Sequence, residues 1–88
     1  MYLIGNKRTE VINLNNVLGL SVEGKSITYR YSSIDRYHII ARYETEDRAI
    51  EVWNKMLQDI FSGKSEKYIE ISGIQARADY IAYYLPTE

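Results

Sequence analysis

The sequence contains no cysteine, one proline and one histidine among its 88 residues. The absence of cysteine excludes a disulfide scaffold, and one histidine without a spaced set of carboxylates predicts no metal site. No stretch approaches the roughly 18 apolar residues of a membrane span, and the apolar opening, residues 1–5, is too short for a signal peptide. We therefore expect one cytoplasmic domain, residues 1–88, with no metal and no cofactor.

Neither sign of charge is in excess, because 11 basic and 12 acidic residues leave a net charge of -1. This balance argues against nucleic-acid binding through a strongly basic face, and equally against an acidic mimic of DNA. The nucleophile-elbow, phosphate-loop and zinc-peptidase motifs are all missing. His38 lies within an alternating segment, and a single histidine there supports no catalytic triad. We therefore expect a protein that is not an enzyme.

What the sequence does contain is one strongly amphipathic segment, residues 45–62. Its apolar residues recur at the spacing of a single buried helical stripe: Ala49, Ile50, Trp53, Met56, Leu57, Ile60 and Phe61. Thr45 is expected to cap the first turn through its hydroxyl. Gly63 is expected to end the helix, because glycine readily adopts the left-handed conformation found there.

The residues before this helix alternate between apolar and polar side chains, as half-buried strands do. Residues 1–44 therefore predict an antiparallel β-meander of four to five strands, with the helix packed on one face in an α+β fold. Tyr37, Ile39, Ala41 and Tyr43 are expected to share the apolar face. The predicted core consists of Leu18, Leu20, Ile27, Tyr29, Ile39, Ile50, Trp53, Leu57 and Ile60.

The C-terminal segment, residues 63–88, has a weaker pattern. Alternation predicts a strand at 67–72, whereas residues 79–85 fit either a strand or a short helix, and we favour a mostly extended tail. Small chains without disulfides often gain core by oligomerising, and tyrosine and arginine are enriched at subunit contacts. Four tail residues are therefore predicted at a subunit interface, with packing in their own core or contact with a ligand as the alternatives: Arg77, Tyr80, Tyr83 and Tyr84.

The side chains most suited to a ligand are basic and aromatic, and nine of the 88 residues are tyrosine. With the aromatic face of the meander turned to the helix, Arg30, His38 and Arg42 are expected to project together from the other face. Arg36 and Tyr37 follow in the adjoining loop. Guanidinium and imidazole groups bind phosphate or carboxylate, and tyrosine rings stack on nucleobases. The competing interpretation is a charged, solvated sheet face without a ligand.

Several short motifs are spread along the chain. They are the apolar opening Met-Tyr-Leu-Ile (1–4), Asn-Leu-x-Asn-Val (13–17), Tyr-Glu-x-Glu-x-Arg-Ala (43–49) and the ending Tyr-x-x-Pro-x-Glu (83–88). In these motifs the sequence resembles small uncharacterised proteins encoded in phage and prophage regions of Gram-positive bacteria. The resemblance implies no particular activity. It implies a setting in which small proteins act by binding, including the blocking or sequestration of host-defence components.

These features together predict a small binding protein that forms a homo-oligomer and holds a small anionic, nucleotide-derived ligand, as a counter-defence protein in the host cytoplasm. The alternative is a protein–protein interaction module that inhibits or adapts a host protein. A short meander with one helix has little room for a concave pocket, so we expect the ligand site to be shared between subunits.

Overall fold

A computed structural model describes residues 1–61, 66–71 and 82–88 of the chain. Its elements are β1 (Tyr2–Ile4), β2 (Val11–Asn13), β3 (Gly19–Glu23), β4 (Ser26–Arg30), β5 (His38–Arg42), α1 (Glu46–Met56), β6 (Tyr68–Glu70) and β7 (Ala82–Tyr84). A short 3-10 helix, Leu14–Asn16, joins β2 to β3, and α1 continues into a π-helical segment, Leu57–Phe61. The predicted α+β class, with strands in a meander and one helix, is confirmed.

The larger sheet has four strands in the order β5-β4-β3-β6, and every neighbouring pair is antiparallel. The turn between β3 and β4 contains Gly24 with φ +56°, a left-handed conformation that glycine adopts without a steric penalty. Of the meander predicted over residues 1–44, strands β3 to β5 lie in this sheet, whereas β1 and β2 belong to the smaller sheet. The strand predicted at 67–72 is confirmed as β6, which pairs with β3 rather than extending the meander.

The smaller sheet has the order β2-β1-β7, with β1 antiparallel to β2 and parallel to β7. A backbone hydrogen bond of 3.0 Å from Leu85 N to Ile4 O continues the β1–β7 pairing. The extended conformation predicted for the end of the tail is therefore confirmed at β7. Residues 72–81 lie outside the described part of the chain.

Helix α1 begins as the sequence predicts, because the Thr45 hydroxyl accepts a hydrogen bond of 3.1 Å from the backbone N–H of Arg48. The helix packs against β3 and β4 through one buried stripe: Ala49, Val52, Trp53 and Met56. The Trp53 indole N–H donates to Glu66 O at 2.5 Å. The predicted helix stop, Gly63, lies outside the described residues.

Strand β5 contains a β-bulge that the sequence pattern does not reveal. Ala41 pairs with Ile27, and Ile39 pairs with Thr28, so Ile40 is the extra residue. One extra residue shifts the alternation of side chains by one position. Ile40 is consequently buried, whereas Ile39, which we predicted in the core, is 49% exposed.

One cluster of buried side chains joins both sheets and the helix. It includes six of the nine predicted core residues: Leu20, Ile27, Tyr29, Trp53, Leu57 and Ile60. Leu18 is only half-buried. The prediction for Ile50 is wrong, because this side chain lies at the margin of the helical stripe and is 37% exposed, while Val52 is buried in the stripe.

Among the described residues, no helix is both long and apolar enough to cross a membrane.

Candidate ligand-binding cleft

The sheet face turned away from α1, which we call the outer face, has a floor of small side chains. Large apolar residues of β3 and β4 alternate onto the helix side, which leaves Gly19, Ser21, Ser26 and Thr28 on the outer face. The hydroxyls of Ser21 and Thr28 share a buried hydrogen bond of 2.6 Å. Because the floor residues are small, the larger side chains beside them rise above the floor and form walls.

The two walls are tyrosine rings, and Arg30 lies between them. The Arg30 guanidinium carbon is 5.0 Å from the centre of the Tyr37 ring and 5.5 Å from the centre of the Tyr68 ring. Both distances are within the range of cation–π attraction. The planar guanidinium is therefore held in one orientation on the outer face.

Gly19 makes room for the Tyr68 wall. Gly19 pairs with Arg30 on one side and with Glu70 on the other. A Cβ atom at this position would lie 2.6 Å from the Tyr68 hydroxyl oxygen and 2.8 Å from Ile69 O. Any residue larger than glycine would consequently push Tyr68 away from Arg30.

The electrostatics of this region favour a charged and well-positioned Arg30. A hydrogen bond with the Tyr68 hydroxyl raises the pKa of Arg30, although partial desolvation opposes the rise, and the carboxylate of Glu70 also raises it. The Arg30 Nε atom is shielded from solvent and has no hydrogen-bond partner within the described ranges. A buried donor without a partner lowers the stability of the folded protein.

A cleft of about 340 Å³ opens beside Arg30, and we call it the outer cleft. Its lining includes Ser21, Glu23, Arg30, Tyr37, Lys67 and Tyr68. Lys67 is held at its rim because its carbonyl accepts a hydrogen bond of 2.9 Å from Val22 N. The arrangement combines two cationic groups, two aromatic rings and a hydroxyl, which are the groups that bind anionic, ring-containing molecules.

The structure separates the side chains that the sequence predicted to converge. Arg30 and Tyr37 do meet in the outer cleft. His38 pairs with Tyr29, so the bulge has moved it to the helix side of the sheet. Arg42 pairs with Ser26, at the opposite end of β4 from Arg30. The predicted cradle of Arg30, His38 and Arg42 around one anion is therefore wrong in its geometry.

His38 instead belongs to an aromatic cluster beside the loop. Its ring stacks on Tyr29 at 5.2 Å and lies 5.7 Å from the ring of Tyr31. Its Nε2 atom is 3.2 Å from a carboxylate oxygen of Asp35. Burial is the largest single effect and raises the pKa of Asp35, but the interaction with His38 and the hydrogen bonds from the backbone N–H groups of Tyr31 and Arg36 together lower it overall. Arg36, also predicted at the site, is exposed in the same loop.

Arg42 borders a second cavity of about 250 Å³, which lies between β5 and the turn that joins β1 to β2. We call it the turn pocket, and its polar lining includes Lys7, Thr9, Glu10 and Arg42. The side-chain amide of Asn6 donates to Arg42 O at 2.7 Å and accepts from Arg42 N at 3.4 Å. This pair of bonds fixes the backbone from which the Arg42 side chain projects.

The four predicted interface residues fall in different places. Arg77 and Tyr80 lie outside the described residues. The Tyr83 hydroxyl donates to a carboxylate oxygen of Asp59 at 2.6 Å, so it packs on the helical segment of its own chain. Tyr84 is 61% exposed, and the guanidinium of Arg8 lies 5.2 Å from its ring centre.

Sequence reasoning missed Lys67 and Tyr68 as members of the cleft. The signal was present in part, because Gly19 and Ser21 occupy the polar side of an alternating strand and therefore predict space on that face. What the pattern did not contain was the pairing of β6 with β3, which brings the tail across to this floor. In the described ranges, no group of three or more His, Cys, Asp or Glu side chains converges as a metal site would require.

No protein-family model matches the chain, and comparisons with curated proteins and with solved structures likewise found no match.

Proposed function

We propose that the protein is a non-enzymatic binding protein that holds a small anionic, nucleotide-derived ligand in the outer cleft. The observation that carries this proposal is Arg30, which is held between the rings of Tyr37 and Tyr68 with a shielded Nε donor that lacks a partner in the described structure. A guanidinium presents its N–H groups in a planar fork that matches phosphate. Because the two rings already fix its orientation, little side-chain entropy is lost on binding.

The charges around the cleft indicate what kind of anion fits. Arg30 and Lys67 attract an anion, whereas Glu23 at the rim and Glu70 beyond Gly19 oppose it. An inorganic ion alone would gain little from this balanced field. A ligand that also carries a ring gains stacking on tyrosine, about 1–3 kcal/mol per base, and Tyr37 is exposed enough to offer it.

The size of the cleft supports a homo-oligomer. At about 340 Å³, the outer cleft is near the lower end of the roughly 300–1,000 Å³ of small-molecule sites. A nucleotide would remain partly uncovered in one subunit. Tyr37, in the lining of the cleft, and Ile34, in the loop before it, are exposed apolar residues that a second copy would cover. We therefore infer a homodimer in which the partner closes the cleft.

The biological setting of the proposal is sequestration of a nucleotide-derived signal as a counter-defence activity. It rests on the resemblance to small phage-encoded proteins, and the absence of catalytic motifs supports binding rather than turnover.

The test combines native mass spectrometry with titration calorimetry. Gently purified protein is expected to be dimeric and to retain a small molecule. With adenosine 5′-monophosphate as the probe, Arg30→Gln should weaken binding about 10- to 100-fold, since a hydrogen bond to a charged group contributes about 1.5–3 kcal/mol. Lys25→Gln, which removes one charge from an exposed turn away from the cleft, is the matched control and should bind as the parent does.

Equal binding by Arg30→Gln and the parent would overturn the location of the site, provided that both variants melt at similar temperatures. Failure of the parent to bind any of the four common nucleoside 5′-monophosphates, together with no retained small molecule, would overturn the function.

The second candidate function is a protein–protein interaction module, and one observation favours it. Ile34 is 96% exposed, and Tyr37 and Ile39, which lie near it in the sequence, are also exposed apolar side chains. Exposed apolar surfaces of this kind often mark interaction sites. Under this alternative, Ile34→Asp should abolish a stoichiometric complex with a host protein while leaving nucleotide binding absent in parent and variant alike.

A further inference from the structure

The outer face carries a second set of cationic groups at a defined distance from the outer cleft. Arg42 pairs with Ser26, and Arg30 lies four residues further along β4 on the same face. At about 3.3 Å per residue, four residues along a strand span about 13 Å. Arg42 therefore borders the turn pocket at one end of the face, while Arg30 borders the outer cleft at the other.

We propose that the turn pocket is a second anion subsite, and that the protein selects a linear ligand with two phosphate groups, one bound at Arg30 and one at Arg42 and Lys7. The inference rests on the proposed function and names the ligand class more narrowly: a chain of nucleotides rather than a single one.

The charges of the turn pocket suit an anion better than those of the outer cleft. Lys7 and Arg42 both line it, and neither side chain has an ion-pair or hydrogen-bond partner in the described part of the chain. Glu10, also in the lining, is engaged as the acceptor of the Tyr29 hydroxyl. Two cations therefore face one carboxylate, which keeps its negative charge while it accepts this bond, and the Thr9 hydroxyl adds a neutral donor.

The turn that carries Lys7 is fixed before any ligand arrives. Gly5 N donates to Glu10 O at 2.8 Å, which closes the turn. Arg8 has a left-handed backbone conformation with φ 62°. Its guanidinium donates hydrogen bonds to Gly5 O at 3.0 Å and to Leu85 O at 2.6 Å. Pre-ordered groups lose less entropy on binding than flexible ones, so the turn pocket has the rigidity expected of a subsite.

The surface between the two subsites fits the middle of such a ligand. Ile39 pairs with Thr28 on the outer face and is half exposed, and it also borders the turn pocket. A sugar or base placed between two phosphates would lie against this apolar side chain and above the paired hydroxyls of Ser21 and Thr28. A single nucleotide would reach only one of the two subsites.

The experiment compares three probes by calorimetry on the full chain: adenosine 5′-monophosphate, the trinucleotide ApApA, and the 5′-phosphorylated trinucleotide pApApA. In pApApA the first and third phosphates are far enough apart to reach both subsites, whereas the two adjacent phosphates of ApApA are not. The parent is expected to bind pApApA at least tenfold more tightly than the monophosphate and than ApApA. In Lys7→Gln and Arg42→Gln, the ratio of pApApA to monophosphate affinity should fall towards one. Lys25→Gln, an exposed lysine of another turn, should keep the parental ratio.

The outcomes separate the inference from the function on which it rests. If the parent binds the monophosphate and pApApA equally, or if Arg42→Gln keeps the parental ratio, the second subsite is wrong while the first stands. If ApApA binds as tightly as pApApA, the gain comes from the additional bases, which also refutes the second phosphate subsite. If the parent binds none of the three probes, the proposed function fails together with the inference.

Discussion

Tyr43 shows how a single buried side chain links stability to pH. Its ring is buried, its hydroxyl donates to Pro86 O at 2.8 Å, and desolvation by burial raises its pKa from 10.0 to about 12. Below pH 10 the folded and unfolded chains both keep this proton, so the protonated Tyr43 hydroxyl makes its full contribution to the free energy of unfolding. Between pH 10 and 12 only the unfolded chain releases it, and the free energy of unfolding should fall as the pH rises.

Urea unfolding at pH values from 8 to about 11.5 measures this fall. Tyr43→Phe removes the titrating group and should make the decline above pH 10 shallower than in the parent. Burial and the hydrogen bond to Glu10 also raise the pKa of Tyr29, so part of the decline should persist in the variant. Identical slopes for variant and parent would contradict the prediction.

At the scale of elements, the contact between α1 and the larger sheet depends on Trp53. This side chain is 1% exposed, and its indole N–H is bonded to Glu66 O. Trp53→Ala should lower the free energy of unfolding by about 3–5 kcal/mol. Ile50→Ala, on the same helix but at the margin of the stripe, should cost less than about 1 kcal/mol. If chemical denaturation shows that Trp53→Ala and Ile50→Ala lower the free energy of unfolding equally, the orientation of the helix is wrong.

The same helix and β5 show which parts of the fold were predictable from sequence. A repeat at helical spacing and a threonine before it determine where α1 begins, and both depend only on local chemistry. The bulge at Ile40 depends on how two strands align, and the sequence of β5 contains no glycine or proline to mark it. That one extra residue moved His38 and Ile39 to the faces opposite those predicted, and so removed His38 from the predicted anion site.

At the scale of the whole molecule, the pairing of β1 with β7 closes a long loop. The hydrogen bond from Arg8 to Leu85 O joins residues 77 positions apart, whereas β3 and β4 are joined by a tight turn. Closing a long loop lowers the conformational entropy of the chain before the contacts between the ends of the loop can stabilise it. We therefore expect the β3–β4 hairpin to form early in folding and β7 to dock late.

Stopped-flow kinetics of two core variants test this order. Leu85→Ala should lower stability by about 2–5 kcal/mol, almost entirely through faster unfolding, because its contacts form after the transition state. Ile27→Ala, in the hairpin, should instead slow folding. A folding rate reduced as strongly by Leu85→Ala as by Ile27→Ala would show that β7 docks early.

The amide of Asn6 has a consequence for how copies of this protein meet. Among the described strands, β5 is the last on one side of the larger sheet, and an open strand edge recruits further strands into aggregates. By bonding to both the N–H and the carbonyl of Arg42, Asn6 occupies backbone groups that an approaching strand would need. Copies of the chain are thereby hindered from adding strand to strand along this part of β5.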